Sequence, residues 1–188
     1  LAAPLGTSLL ADMGARVIKI ESLVGDEFRT RTKGRSKTFH GKESLSVDLR
    51  RKEAQDLVHR LVGKADAIMH NMRGDAPKRL GVDYETIKGI NPEIVYLYAG
   101  SYGSGGPGAG RAAFHPTAGA LAGGALWQLG QGNEPPPCDE PMTIDEVDSK
   151  SLEMFRANEG SPDVSAAVAV GTAMALALFT RERTGKGQ

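Results

Sequence analysis

Short runs of alternating, β-branched residues, interrupted by one clear amphipathic helical pattern, constrain this chain more than any other feature. Residues 16–21 (RVIKIE), 45–49 (LSVDL), 67–69 and 94–98 carry strand character. Between the second and third runs, Ala54, Leu57, Val58, Leu61 and Val62 recur at helical spacing after Arg51, and Gly63 closes that face. Two short helical turns, over 75–80 and 83–89, fit between the third and fourth. Strand, helix, strand, helix, strand predicts an α/β fold with a doubly wound, mainly parallel sheet. In such sheets ligands sit at the carboxyl ends of the strands.

The flanking segments fill in around that frame. Residues 4–13 predict a helix that Gly14 stops, and the polar, basic stretch 22–42 predicts a long loop near a ligand. Residues 100–110 form a Gly-rich loop, 116–129 a small-residue helix, and 131–149 an acidic, Pro-containing surface excursion. A last helix starts near 161–163, with Pro162 and Asp163 in its first turn, and runs to about residue 183. Its apolar run, 164–179, is shorter than the roughly 20 residues that span a bilayer, which predicts a buried helix. The 188 residues suit one sizeable domain. The start in mid-helix at Leu1 and the stop after a basic, Gly-containing turn predict a piece of a larger protein.

Charge and chemistry narrow the ligand. Basic and acidic side chains balance at 23 each, which argues against a nucleic-acid or membrane-surface partner, while residues 1–133 carry a basic surplus that suits a moderately anionic ligand. One cysteine, Cys138, fits a reducing compartment, so cytoplasmic, or organellar in a eukaryote. His40, His59, His70 and His115 make no metal-ligand spacing, and no metal is expected. Gly103, Gly105 and Gly108 satisfy the dinucleotide pattern GxGxxG, but Pro107 interrupts it and no acidic residue follows about 20 positions on to hold a ribose. Asp163 stands at the amino end of a long apolar helix, where free N–H groups favour an anion. That placement serves a helix cap as well as a nucleophile or base.

The order of motifs along the chain supplies a resemblance. Residues 11–15 (ADMGA) with 17–21 (VIKIE) are similar to the opening of the class III, CaiB/BaiF-type, coenzyme A transferases. Residues 41–49 (GKESLSVDL), 65–81 (with NMRG and KRLG), 91–107 (from NPEIVY to GSGGP) and 181–188 (RERTGKGQ) resemble further segments of that family in the same order. The resemblance implies a Rossmann-like large domain, a smaller domain absent from this chain, and an interlocked homodimer. It implies acyl-CoA and a carboxylic acid as substrates, and an Asp nucleophile at the start of the helix before the closing motif, the place of Asp163. For the CoA itself it implies contacts from Ala2, Arg50, Asn71, Met72 and Arg79. Arginines suit such a ligand because a guanidinium pairs with phosphate through two hydrogen bonds.

Three departures from the family pattern bear on the chemistry. Ser22 replaces an Arg that often stacks on adenine, and 111–115 (RAAFH) replaces a segment in which the family's α-methylacyl-CoA racemases place a basic His. Here Phe114 aligns with that His and His115 follows one place later. Ser165, Ala166 and Ala167 stand where the family often has Gly after its Asp. The leading expectation is acyl-CoA:carboxylate CoA transfer through Asp163. Its rivals are a 2-methylacyl-CoA racemase using Asp163 and His115, and a CoA-binding homologue without catalysis.

Overall fold

The computed structural model describes residues 1–31, 37–114, 117, 141–157 and 162–188. The chain divides into two compact units, one of residues Leu1–Arg111 with Val164–Gln188 and one of residues Ala112–Asp163. The first holds α1 (Ala2–Asp12), β1 (Val17–Glu21), α2 (Glu27–Arg31), a 3-10 turn (Lys37–Phe39), β2 (Lys42–Ser46) and α3 (Lys52–Val62). It continues through β3 (Ala67–His70), α4 (Ala76–Arg79), α5 (Tyr84–Ile90) and β4 (Val95–Tyr98). The second holds α6 (Ile144–Ala157), and α7 (Pro162–Thr184) begins in it and ends in the first.

The parallel α/β fold expected from the sequence is present, with a refinement of the pairing. Among the described residues, β1 pairs with β2 and β3 with β4, both in parallel, as two two-stranded sheets. Gln188 adds to the second of these. Its N–H donates to Ile94 O (3.2 Å) and its carbonyl accepts from Tyr96 N–H (2.8 Å), a parallel bridge on β4. One core serves both sheets. Val58, Val62, Val82, Ile87 and Ile94 are buried at its centre, and Ile20, Val47, Ile68, Met72 and Tyr96 pack against them.

Helix ends follow local chemistry. At the end of α1, Ala15 N–H reaches back to Leu10 O (3.0 Å) across Gly14, whose φ of +98° is the left-handed conformation expected there. Asp83 caps α5 by accepting from Thr86 N–H (3.2 Å). The side chain of Asn91 donates to Val62 O (3.1 Å) and Ala65 O (2.9 Å), so the Asn-Pro pair that ends α5 also closes the carboxyl end of α3.

Four expectations change. The second strand begins three residues earlier than its alternation suggests, because β1 supplies a ladder from Val17↔Lys42 to Glu21↔Ser46; Val47 and Leu49 go to the core instead. Within the stretch 22–42, Glu27–Arg31 and Lys37–Phe39 form α2 and the 3-10 turn, and residues 32–36 lie outside the described residues. The excursion at 131–149 lies outside the described residues as far as 140, and its final part, from Ile144, is helical. The helix expected at 116–129 also lies outside the described residues, apart from Thr117.

The fourth change concerns α7. It has 23 residues, is long and apolar enough to cross a membrane by length and composition, and buries only the line Ala167, Gly171 and Met174. Val164, Val168, Leu176 and Phe179 are exposed. A helix that is apolar all round does not announce which face will be covered. Here the choice falls to Gly6 of α1, where a Cβ would lie 2.8 Å from Ala167 O, so only glycine lets the two helices meet this closely. At the far end Arg181 donates to Asp66 Oδ1 (2.7 Å) and Asp66 O (3.0 Å), tying α7 to the start of β3.

Candidate functional site

At the carboxyl end of β1 the chain assembles a charge cluster. The Glu21 carboxylate is buried and accepts two bonds from the Arg29 guanidinium (2.6 and 3.1 Å), with Lys19 Nζ 3.5 Å away. The Arg29 bonds, against the cost of burial, hold the Glu21 carboxyl below its ordinary range. Lys19 also pairs with Asp26, and both cations lie over the Phe39 ring, Arg29 at 4.5 Å and Lys19 at 5.2 Å from its centroid. These groups explain the order found within the expected loop. All the charges are matched within the cluster, so its role is to shape the segment that follows β1.

Beside it, Lys42 at the start of β2 donates to Pro4 O, to Thr7 Oγ1 (2.7 Å) and to Thr38 O (2.9 Å). Burial, with a contribution from Lys19, pushes this ammonium down to about 8. The Lys of the Gly-Lys motif is therefore a clamp: it joins α1, the 3-10 turn and β2. Neither Lys42 nor Glu21 stood out in the sequence as more than part of a family motif, because their partners lie up to 38 residues away.

The carboxyl end of β3 brings together His70, Asn71 and Met72. Asn71 is exposed, whereas Met72 is half-buried and leans on the core. Its N–H donates to His70 Nδ1 (3.1 Å), and His70 Nε2 meets the Tyr96 hydroxyl (2.6 Å), which donates to Val82 O (2.8 Å). Burial holds the imidazole below its ordinary pKa and pushes the Tyr96 hydroxyl up to about 12, the latter helped by the charge of Asp83. Sequence spacing gave His70 no role, since its partners are set by strand pairing.

The expected arginines are exposed and engaged with local acids. Arg50 makes a two-pronged pair with Asp48 (2.8 and 2.9 Å), and Arg79 pairs with Asp75 (3.1 Å) one helical turn away. The Arg79–Asp75 pair is exposed on both sides and of the weak kind, whereas Asp48 is largely covered and meets Arg50 through two bonds. Ala2 is the first residue of α1 and half-buried.

Asp163 lies half-buried in the first turn of α7 and belongs to the second unit. His115 lies outside the described residues, as does Cys138, and Phe114 is exposed. Ser165 and Ala166 are exposed, while Ala167 is buried on the α1 side of the helix. Ser22 donates to Gly25 O (3.1 Å) and so helps form the turn after β1. The GxGxxG stretch is a series of turns, with Gly103 at φ +76° and no helix over 104–114, which removes the helix N-terminus that a dinucleotide turn requires.

A polar cleft of about 430 Å³ is lined by Gly63, Asp66, Asn91, Arg181 and Gly185. It sits at the amino ends of β3 and β4, opposite the strand ends where ligands of parallel sheets are held. Two of its polar side chains already bond within it, Arg181 to Asp66 and Asn91 to Ala65 O. It is a seam around the closing motif.

The chain matches the model of "CoA-transferase family III" over residues 1–188. It is 30% identical to an acyl-CoA transferase of Fusarium pseudograminearum across its whole length, which is 41% of that protein. It is 33% identical to acetyl-CoA:oxalate CoA-transferase of Acetobacter aceti, covering 98% of this chain and 45% of that one. A solved CaiB/BaiF family protein from Brucella suis superposes with a TM-score of 0.75 at 32% identity, over 100% of this chain and 48% of that one. The chain thus spans about half the length of the relatives it matches. Parallel strand pairs, the ordered motifs and full-length similarity agree: this chain belongs to CoA-transferase family III.

Proposed function

We propose that the full-length protein is an acyl-CoA:carboxylate CoA-transferase in which Asp163 is the nucleophile. The observation that carries this reading is the position of Asp163 in the first turn of the 23-residue helix that leads into the closing motif. The partial positive charge at the start of a helix suits an acidic side chain at that place. Family membership and the names of the relatives from Fusarium and Acetobacter support the reaction class.

In this mechanism a carboxylate oxygen of Asp163 attacks the thioester carbonyl of the donor. The C–S bond breaks, CoA leaves as thiolate, and an aspartyl–acyl anhydride remains. The thiolate then attacks the aspartyl carbonyl, releasing the donor acid as carboxylate and leaving CoA as a thioester on Asp163. The acceptor carboxylate attacks that thioester to form a second anhydride, and thiolate attack on its acyl carbonyl releases the new acyl-CoA and restores Asp163. Each step is an acyl transfer, and the covalent intermediates divide one hard exchange into easier ones. Arg50 and Arg79 exchange their local acids for CoA phosphates, and Asn71 and the Met72 backbone meet the nucleotide. The exposed apolar face of α7 supports an assembly in which the rest of the protein, or a partner copy, covers it.

The test incubates the full-length protein with a panel of acyl-CoAs and free acids and searches by mass spectrometry for CoA or acyl adducts on Asp163. Adducts that vanish in Asp163→Ala support transfer. Solvent deuterium entering the α-carbon without adducts points instead to racemisation through Asp163 and His115, and silence in both points to a binding homologue.

A further inference from the structure

We propose that His70 is the positioning residue of the CoA site: as a neutral imidazole it holds the Asn71–Met72 turn in the shape that receives the nucleotide, and its protonation releases that turn. The proposal rests on the reading that Asn71 and Met72 meet CoA, and it adds a residue and a pH dependence that this reading does not contain.

The hydrogen bonds around His70 admit one assignment. Val82 O can only accept, so the single hydroxyl hydrogen of Tyr96 goes to it (2.8 Å). The Tyr96 oxygen must then accept from His70 Nε2, 2.6 Å away. On the other side of the ring, Met72 N–H can only donate, so His70 Nδ1 is the acceptor at 3.1 Å. Both demands are met by the neutral ring with its hydrogen on Nε2, and by no other state. A second proton, on Nδ1, would set two donors against each other and break the bond to Met72.

The surroundings hold that state in place. The ring is wedged between Tyr96 (centroids 5.4 Å apart, edge to face) and Tyr98 (5.3 Å), and Tyr84 of α5 packs edge-on against Tyr96 at 5.4 Å. Asp83, which caps α5, is a charged group that acts on this chain of bonds, through Tyr96. Among the described residues no carboxylate or ammonium bonds the imidazole, so burial alone sets the direction of its pKa, which is downward. A base whose pKa is lowered on folding contributes stability that is present above its ordinary value near 6.5 and is lost as the pH falls through the folded value. The turn is therefore held at neutral pH and released as the pH falls through the lowered folded-state pKa. His70 O also accepts from Ala99 N–H (2.8 Å), which keeps the strand end fixed while the side chain switches.

The experiment uses the full-length protein as wild type, His70→Ala, His70→Asn and Tyr96→Phe. Asn can accept a backbone N–H two residues on through its side-chain oxygen but does not titrate, so it keeps the turn and removes the switch. Amide exchange at Met72, CoA affinity by calorimetry, and the KM and kcat for acyl-CoA are read over a pH series from 7.5 down through the acid range in which the protein stays folded. At pH 7.5, His70→Ala is expected to bind CoA about tenfold more weakly, with KM raised and kcat within about twofold, while His70→Asn stays within about twofold of wild type. As the pH falls through the folded-state pKa of His70, the wild type is expected to lose Met72 protection and about tenfold more affinity than His70→Asn, whose own change reports the titration of the CoA phosphates. Tyr96→Phe is expected to weaken Met72 protection throughout the series.

Parallel pH profiles for wild type and His70→Asn would overturn the proposal, and so would unchanged CoA affinity in His70→Ala. Turnover that persists with either result leaves the transferase reading intact. CoA binding that follows the expected pattern without any turnover supports His70 and removes the transferase reading. A wild type that binds no CoA overturns both.

Discussion

Lys42 shows how a single side chain of a family motif acquires its meaning. All three of its ammonium hydrogens are used, on Pro4 O, Thr7 Oγ1 and Thr38 O, and these belong to two different elements. In Lys42→Met the hydrocarbon stem is kept and the donors are lost. Stability to urea is expected to fall by about 2 kcal/mol, the range for leaving buried acceptors without a partner. Asp163 is the residue whose loss should be felt in chemistry instead. In the full-length protein Asp163→Asn is expected to lower turnover by on the order of 10⁴-fold, as when a covalent nucleophile is removed, with the melting temperature nearly unchanged. The two substitutions together separate a clamp from a nucleophile: one moves the denaturation midpoint, the other the rate.

At the scale of elements, the informative contacts are those where backbones come closest. Replacing Gly6 by Ala should stabilise an isolated helix, by about 1 kcal/mol. Within this fold the new Cβ would stand 2.7 Å from Val170 Cγ1 and 2.8 Å from the backbone oxygen of Ala167, and a backbone atom does not move aside cheaply. Overpacking of this kind costs about 1 to 3 kcal/mol, so Gly6→Ala is expected to be neutral to destabilising by about 2 kcal/mol in thermal unfolding. Gly187 is tighter still, since a Cβ there would lie 2.5 Å from Ile94 O and from the carbonyl carbon of Glu93. In Gly187→Ala the bridge between Gln188 and β4 is expected to open, with faster amide exchange at Tyr96, which donates to Gln188 O. These two glycines give a physical reason for small residues in the opening helix and the closing motif. Their need was not visible in the sequence, because each faces a segment more than 90 positions away.

For the whole molecule, the exposed face of α7 is the feature that reaches beyond this chain. Val164, Val168, Leu176 and Phe179 leave apolar surface uncovered along a helix that is anchored at both ends of its buried line by Gly6 and Asp66. The full-length protein is expected to be a dimer by light scattering. A Leu176→Asp, Phe179→Asp double variant is expected to give the monomer mass or a sharply weakened dimer, while the β1–β4 unit keeps its circular dichroism. A dimer that survives the double change would place its interface elsewhere.

The sequence by itself determined the class of fold and the family. Strand alternation, the face Val58–Val62 and the ordered motifs are local patterns, and residues three to four apart on a helix or two apart on a strand meet whatever the rest of the chain does. It also determined that Asp163 begins the last long helix, because Pro162 and the acid mark a helix start. Only the tertiary structure decided that β2 starts at Lys42, that Arg181 belongs to Asp66, that α7 covers one line and exposes the rest, and that His70 stands between the Met72 N–H and the Tyr96 hydroxyl. Each of those is a choice among partners distant in sequence. Periodicity carries no information about which distant partner a side chain meets, and packing settles it by distance, burial and the count of donors and acceptors.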